Sequence, residues 1–149
     1  MRLKKIIIFA ICASIVTFSL FADKIDEENA LGFLSGDYIL IGKKINSKKT
    51  YSGSIRLKYN EKQKCLDIKR DVSGVTSKGK ATIEYVTSDQ IPVLRIKFTE
   101  KNIKYEGIFL WRSDLDNFGR LSGYIYFADG QSVEDPGLEA YFINQVSLP

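Results

Sequence analysis

The sequence predicts an all-β domain, and the arrangement that fits it best is an eight-stranded antiparallel up-and-down barrel. Eight stretches alternate polar and apolar residues, and turn-forming residues separate them. No stretch between them is long enough for a helix that crosses between parallel strands. Closing the sheet into a barrel removes its exposed edges. A two-sheet β-sandwich is the alternative for the same set of strands.

The first 22 residues have the composition of a signal peptide. A short basic start is followed by the uncharged apolar run 6–21, and Ala22 provides a small residue at a cleavage position. The run is somewhat shorter than a membrane span, which needs about 20 apolar residues. We therefore expect export to the periplasm or the exterior, with residues 23–149 forming one domain that keeps no membrane span after cleavage.

Removal of this segment changes the charge of the protein. The full chain has 22 basic and 18 acidic residues, and loss of Arg2, Lys4 and Lys5 leaves 19 against 18. A protein this close to neutral is not attracted to nucleic acid as a whole, so we predict no nucleic-acid partner. The basic residues nevertheless crowd the first half of the domain, at Lys43, Lys44, Lys48, Lys49, Arg56, Lys58, Lys62, Lys64, Lys69 and Arg70. We expect them to lie on solvated outer strand faces and turns, with an anionic partner as the alternative.

The domain is expected to begin with a short helix over residues 26–34. Asp26 can cap its N-terminus, and the two glutamates that follow suit the positive end of the helix dipole. Its apolar side would consist of Ala30, Leu31, Phe33 and Leu34.

Eight strands are predicted after the helix. They cover residues 37–45, 50–59, 64–71, 80–86, 92–99, 103–112, 120–127 and 137–143. Residues 73–79, rich in Ser and Gly, are expected to form a loop. Cys65 is the only cysteine left after cleavage, so no intramolecular disulfide is expected and Cys65 is predicted to be a small buried residue.

One pattern recurs in three of the strands: a bulky residue, then Gly two positions later, then bulky residues at alternate positions. It occurs in 51–57, 105–111 and 121–127. A glycine among inward-facing bulky residues lets a strand bend sharply around a core. The interior is therefore predicted to be apolar with several tyrosine hydroxyls. Its candidate ligand-binding residues are Tyr38, Tyr51, Tyr105, Phe109, Trp111 and Phe127, and the alternative is that these rings simply fill the core.

The sixth and seventh strands carry a second apolar face. It consists of Ile108, Leu110, Tyr124 and Tyr126. A strand that is apolar on both faces is usually covered on both. We expect the N-terminal helix to cover this face, and a partner protein or a second copy of the chain is the alternative, which makes these four residues candidate partner-binding residues.

The residue inventory argues against an enzyme. The chain has no histidine, which removes the usual Ser/His/Asp arrangements and the common zinc sites. A hydrolase that uses two carboxylates needs only Asp and Glu. The candidates for it are Glu84, Glu106, Asp67 and Asp37, which lie in predicted strands, but alternation points most of them outward. The segment 114–119 has acids at the first and third positions of a calcium loop, but Ile125 stands where its bidentate acid belongs, so a solvated hairpin loop is expected. No catalytic residue, metal or cofactor is predicted.

A short helix, the segment Gly36-Asp37-Tyr38 and eight antiparallel strands together resemble the lipocalin-like, or calycin, class of small barrels. This resemblance implies an exported, non-enzymatic protein that holds a small apolar or amphipathic ligand inside the barrel. Residues 122–126 also fit a Ser-Gly-x-x-Tyr pattern that is similar to one in periplasmic lysozyme inhibitors. The alternative function is therefore a surface-binding or inhibitor protein with a filled core that engages a protein or an anionic polymer. Neither pattern predicts an oligomeric state.

Overall fold

The computed structural model of the protein describes residues 26–111, 120–130 and 132–144. The expected signal peptide and the segment 114–119 lie outside the described residues. Within the described residues, no helix is both long enough and apolar enough to cross a membrane.

Eight strands close into an antiparallel barrel in sequence order, as predicted. Each strand pairs with the next, and the last pairs with the first. The strands are β1 (Gly36–Lys43), β2 (Thr50–Asn60), β3 (Cys65–Val72), β4 (Val75–Val86), β5 (Ile91–Glu100), β6 (Ile103–Leu110), β7 (Arg120–Phe127) and β8 (Gly137–Ile143). The barrel is thus confirmed, and the sandwich alternative is wrong.

Alternating residues of every strand fill the middle of the barrel. Leu40, Ile55, Ile96 and Phe109 are fully buried. The ring of Phe109 stacks on that of Tyr141, with 4.7 Å between their centroids. Burial of such side chains contributes about 1.5–3 kcal/mol each, so this packed layer is the main source of stability.

The recurring glycines allow close strand contact, as predicted from their pattern. A Cβ atom at Gly53 would collide with the carbonyl oxygen of Asp71 on the neighbouring strand. A Cβ atom at Gly123 would collide in the same way with that of Ile108. These strands can curve tightly only where the side chain is absent.

The prediction for the start of β4 is wrong by five residues. Ser73 and Gly74 alone form the turn, with φ of 52° and 76°, and β4 begins at Val75 rather than at residue 80. Two positive φ values are characteristic of a type I′ turn, which matches the twist of the flanking strands. Ser, Lys and Gly at 77–79 resemble a loop in sequence, but they extend the strand because β3 and β5 pair with it on both sides.

The helix α1 (Glu27–Leu34) closes one end of the barrel, which we call the helix end. Asp26 caps it by accepting hydrogen bonds from the backbone N–H groups of Glu28 and Asn29, as predicted. Leu31 and Leu34 are buried, whereas Phe33 is 66% exposed. The placement of Phe33 on the buried side is therefore wrong, because only one stripe of this short helix meets the barrel.

Phe109 and Leu110 are adjacent residues that test this packing. We expect Phe109→Ala to lower the free energy of unfolding by about 3–5 kcal/mol because it leaves a cavity in the filled layer. Leu110 points outward and is 45% exposed, so Leu110→Ala should cost less than about 1 kcal/mol. Urea unfolding of both variants checks this difference, and equal losses would show that the two side chains do not face opposite sides of the wall.

Candidate functional site

The end opposite the helix is open and contains a cleft, which we call the open-end cleft. Its volume is about 570 Å³. Its described lining includes both apolar and charged side chains: Lys43, Lys44, Ile45, Tyr51, Arg70, Val72, Val75, Phe98, Glu100, Lys101, Tyr105, Ile125 and Phe127. Small-molecule sites are typically clefts of about 300–1,000 Å³ with apolar walls and a few placed polar groups. The cleft has this size, and its lining is more polar than that of a typical small-molecule site.

A buried carboxylate lies beneath the cleft. Glu139, on β8, has no exposed surface. One of its oxygens accepts hydrogen bonds from the Tyr51 hydroxyl at 2.5 Å and from the Arg70 guanidinium at 2.6 Å. The other oxygen accepts a hydrogen bond from the Tyr141 hydroxyl at 2.6 Å. An ionised carboxylate can only accept, and here three donors from three different strands surround it.

Two glycines make room for this cluster. The cross-strand partners of Glu139 are Gly42 on β1 and Gly123 on β7. Gly42 is also paired with Tyr51 on its other side, and a Cβ atom at Gly42 would lie 2.5 Å from the tyrosine ring. The missing side chain at Gly42 therefore lets Tyr51 reach across β1 to Glu139.

Arg70 connects the buried carboxylate to the cleft. Its side chain is 5% exposed and bridges Glu139 to Glu100, whose oxygen lies 2.7 Å from Nη1. The guanidinium carbon also lies 4.8 Å from the centre of the Phe98 ring, a cation–π distance. Burial alone would lower the pKa of Arg70, but Glu139 and the neighbouring tyrosines outweigh it and raise that pKa. Its Nε has no hydrogen-bond partner among the described residues.

The tyrosines around this cluster are held in their neutral form. Burial is the main cause that raises the pKa of both Tyr51 and Tyr141, and the charge of Glu139 raises them further. A neutral hydroxyl donates a hydrogen bond, whereas a tyrosinate beside Glu139 would repel it. The cluster is therefore a fixed set of donors and acceptors at neutral pH.

The rim of the cleft is formed by the β1–β2 and β7–β8 loops. The Lys43 ammonium lies 2.6 Å from a carboxylate oxygen of Asp135. The Asn46 side chain accepts hydrogen bonds from the backbone N–H groups of Glu134 and Asp135. These contacts join the two loops, and they leave the exposed lysines Lys44 and Lys101 at the cleft's lining.

The six candidate interior residues all point inward, but they do not form one site. Tyr51, Tyr105 and Phe127 line the open-end cleft, and Tyr105 stacks on Phe98 with 5.0 Å between ring centroids. Tyr38, Phe109 and Trp111 instead pack against the core below or at the helix end. The Tyr38 hydroxyl donates to the Leu34 carbonyl oxygen at 2.9 Å, and burial raises the pKa of Tyr38 to about 12.

The four candidate partner-binding residues lie on the outer face of the barrel. Tyr124 is 53% exposed, and Leu110 is also exposed, while Ile108 and Tyr126 are half-buried. The expectation that the helix covers this face is wrong, because α1 packs against the barrel end near β2 and β4. The exposed face continues over neighbouring strands, so we define an apolar wall from eight residues: Ile39, Ile41, Ile108, Leu110, Tyr124, Tyr126, Leu138 and Phe142.

The prediction for the interior charges is wrong. Arg70 was expected on a solvated face and the interior was expected to be apolar, yet Arg70 and Glu139 are both buried. Strand alternation could have predicted the burial of Arg70, because Arg70 lies on the same face of β3 as the buried Leu66 and Ile68.

The acidic residues of the strands face outward as predicted. Asp37, Glu84 and Glu106 form ion pairs with arginines. Asp67 accepts a hydrogen bond from Asn60. Cys65 is buried as predicted.

Comparison with known proteins supports the fold. No family model matches the sequence, and no curated protein matches it. A solved structure described as a redesigned beta barrel is similar, with a TM-score of 0.57 and 17% sequence identity over 78% of this chain and 96% of the other. At this identity the likeness establishes an eight-stranded barrel and does not identify a lipocalin family. Among the described residues, no group of three potential ligands lies close enough to hold a metal.

The buried ion pair makes a testable contribution to stability. Arg70→Met leaves Glu139 buried without its cation, so we expect the free energy of unfolding to fall by about 3–5 kcal/mol. The double variant Arg70→Met/Glu139→Gln should be more stable than Arg70→Met, because the uncompensated charge is then gone. Urea unfolding of Arg70→Met, Glu139→Gln and the double variant measures this coupling. Additive effects would contradict the direct pairing.

The raised tyrosine pKa values predict a loss of stability at alkaline pH. Below pH ~10 the tyrosines are protonated in both states, so their contribution is fully present. As the pH rises above ~10, the unfolded chain loses tyrosine protons that the folded chain retains, so the free energy of unfolding falls. Tyr141→Phe should make this fall shallower. Unfolding curves over a pH series measure it, and an unchanged slope in the variant would contradict it.

Proposed function

We propose that this protein is an exported, non-enzymatic binding protein that holds a small amphipathic ligand in the open-end cleft. One observation carries the proposal: a cleft of about 570 Å³ combines an aromatic wall with charged groups at its floor and rim. The resemblance of the sequence to lipocalin-like barrels supports the same function. The site is smaller than a hollow barrel interior, because the middle and the helix end are filled.

The chemistry of the lining favours an amphipathic ligand over a purely apolar one. Phe98 stacks on Tyr105 with 5.0 Å between ring centroids, and the ring of Phe127 is tilted against Tyr105 at 5.6 Å. The three rings provide a continuous apolar surface. Arg70 lies at the floor, where its Nε is buried and lacks a protein partner among the described residues. Lys44 and Lys101 add positive charge at the lining. An apolar body with polar or anionic ends fits these groups.

A fluorescent fatty acid such as dansyl-undecanoic acid tests this function. We expect saturable binding with enhanced dansyl emission. Val72 borders the cleft, so Val72→Trp should fill part of it and weaken binding by roughly tenfold or more, as overpacking excludes the ligand. Val86→Trp is the matched control, because Val86 ends β4 at the helix end and should not alter binding.

Two outcomes would overturn the proposal. One is that the wild-type protein does not bind the probe, and the other is that both tryptophan variants bind it as tightly as the wild type. Circular dichroism and thermal unfolding confirm that each variant is folded before binding is compared. Native mass spectrometry of the purified protein then provides a direct search for a co-purifying small molecule.

A further inference from the structure

A second surface lies on the outer wall of β2, β3 and β4, away from the open-end cleft. It is a shallow groove of about 590 Å³. Of the described residues that line it, five are basic and one is acidic: Arg56, Lys58, Lys69, Lys78 and Lys80, with Asp67. We call it the basic groove. Its excess of four positive charges contrasts with the near-neutral domain.

The groove places like charges beside each other. Arg56 is the cross-strand partner of Lys69, and Lys69 is the cross-strand partner of Lys78. Neighbouring strands are about 4.8 Å apart, so three cations lie in a row across roughly 10 Å. Like charges directly opposite each other destabilise a sheet. The fold therefore accepts an unfavourable arrangement at this place.

The adjacent outer face is balanced in part, although Lys97 on β5 is the cross-strand partner of Lys80. On β5, Arg95 forms ion pairs with Glu84 and Glu106, so its charge is balanced by its cross-strand neighbourhood. In the groove, Arg56 pairs with Asp37 at one margin, but Lys58, Lys69 and Lys78 form no ion pair with a carboxylate among the described residues. Lysines often protect exposed sheet edges, but a closed barrel has no edge at β3.

We infer that the basic groove binds an acidic polysaccharide, a function that goes beyond ligand binding in the cleft. Repeated sulfate or carboxylate groups would neutralise the row of cations. Four of the five basic residues are lysines, which act as point charges rather than as bidentate forks. Hydroxyl side chains on the outward positions of the same strands, Ser54 on β2 and Thr82 on β4, flank the groove and suit sugar hydroxyls. None of the described outward residues of these three strands is aromatic, so the bases of a single-stranded nucleic acid would find no stacking platform there.

Fluorescence anisotropy with a labelled heparin oligosaccharide tests this inference. Lys69→Gln/Lys78→Gln should weaken binding by roughly tenfold at low salt and reduce the slope of log K against log salt by about 2, since two contacts are lost. Lys48→Gln/Lys49→Gln changes the net charge equally but lies in the exposed β1–β2 turn, so it should have little effect. Asp67→Asn removes the acid from the groove and should tighten binding.

The groove variant also has a stability signature. Because it relieves like-charge repulsion, Lys69→Gln/Lys78→Gln should unfold at a higher temperature than the wild type while binding less polysaccharide. Val72→Trp should leave heparin binding unchanged, which separates this surface from the cleft. Three results would overturn the inference: no heparin binding by the wild type at low salt, equal losses in the two lysine variants, or tighter binding of single-stranded nucleic acid than of heparin at equal charge.

Discussion

The ion pair between Arg70 and Glu139 is the interaction on which the open end depends. A buried carboxylate is costly unless charged and hydrogen-bonded partners surround it. Its partners come from β2, β3 and β8, so they hold three strands in one register. A slip of one residue in β2 or β3 would turn its donor to the outside of the barrel, and a slip in β8 would turn Glu139 itself outward. The cluster thus specifies how the barrel closes as well as what lies beneath the cleft.

The two ends of the barrel are filled in different ways. At the helix end, Leu31 and Leu34 of α1 complete an apolar core that continues through Phe109. At the open end, the cluster replaces this core with polar groups, and the space above it is a cleft rather than a packed layer. Aromatic side chains therefore have different roles at different depths: they fill space near the helix and form a wall near the opening.

Much of the fold follows from sequence patterns that depend on neighbours along the chain. Alternation and turn residues predict the eight strands, and the capping chemistry of Asp26 predicts the helix. The start of β4 and the burial of Arg70 depend instead on strands distant in sequence. Lys78 extends a strand because β3 and β5 supply its pairing, and Arg70 can be buried because Glu139, 69 positions away, balances its charge. The sequence likewise identifies Tyr51, Tyr105 and Phe127 as interior residues, but only the three-dimensional packing separates them from Phe109.

The glycines connect these features. Gly42 and Gly123 stand on either side of Glu139, so the positions that let the strands approach also provide the volume for its donors.

The apolar wall and the basic groove occupy different sides of the barrel, whereas the cleft opens along its axis. A partner bound to the apolar wall or to the basic groove would leave the mouth of the cleft unobstructed. The mouth of the cleft therefore stays open to solvent when the side of the barrel is covered, so contact at the side and access to the cleft are geometrically independent.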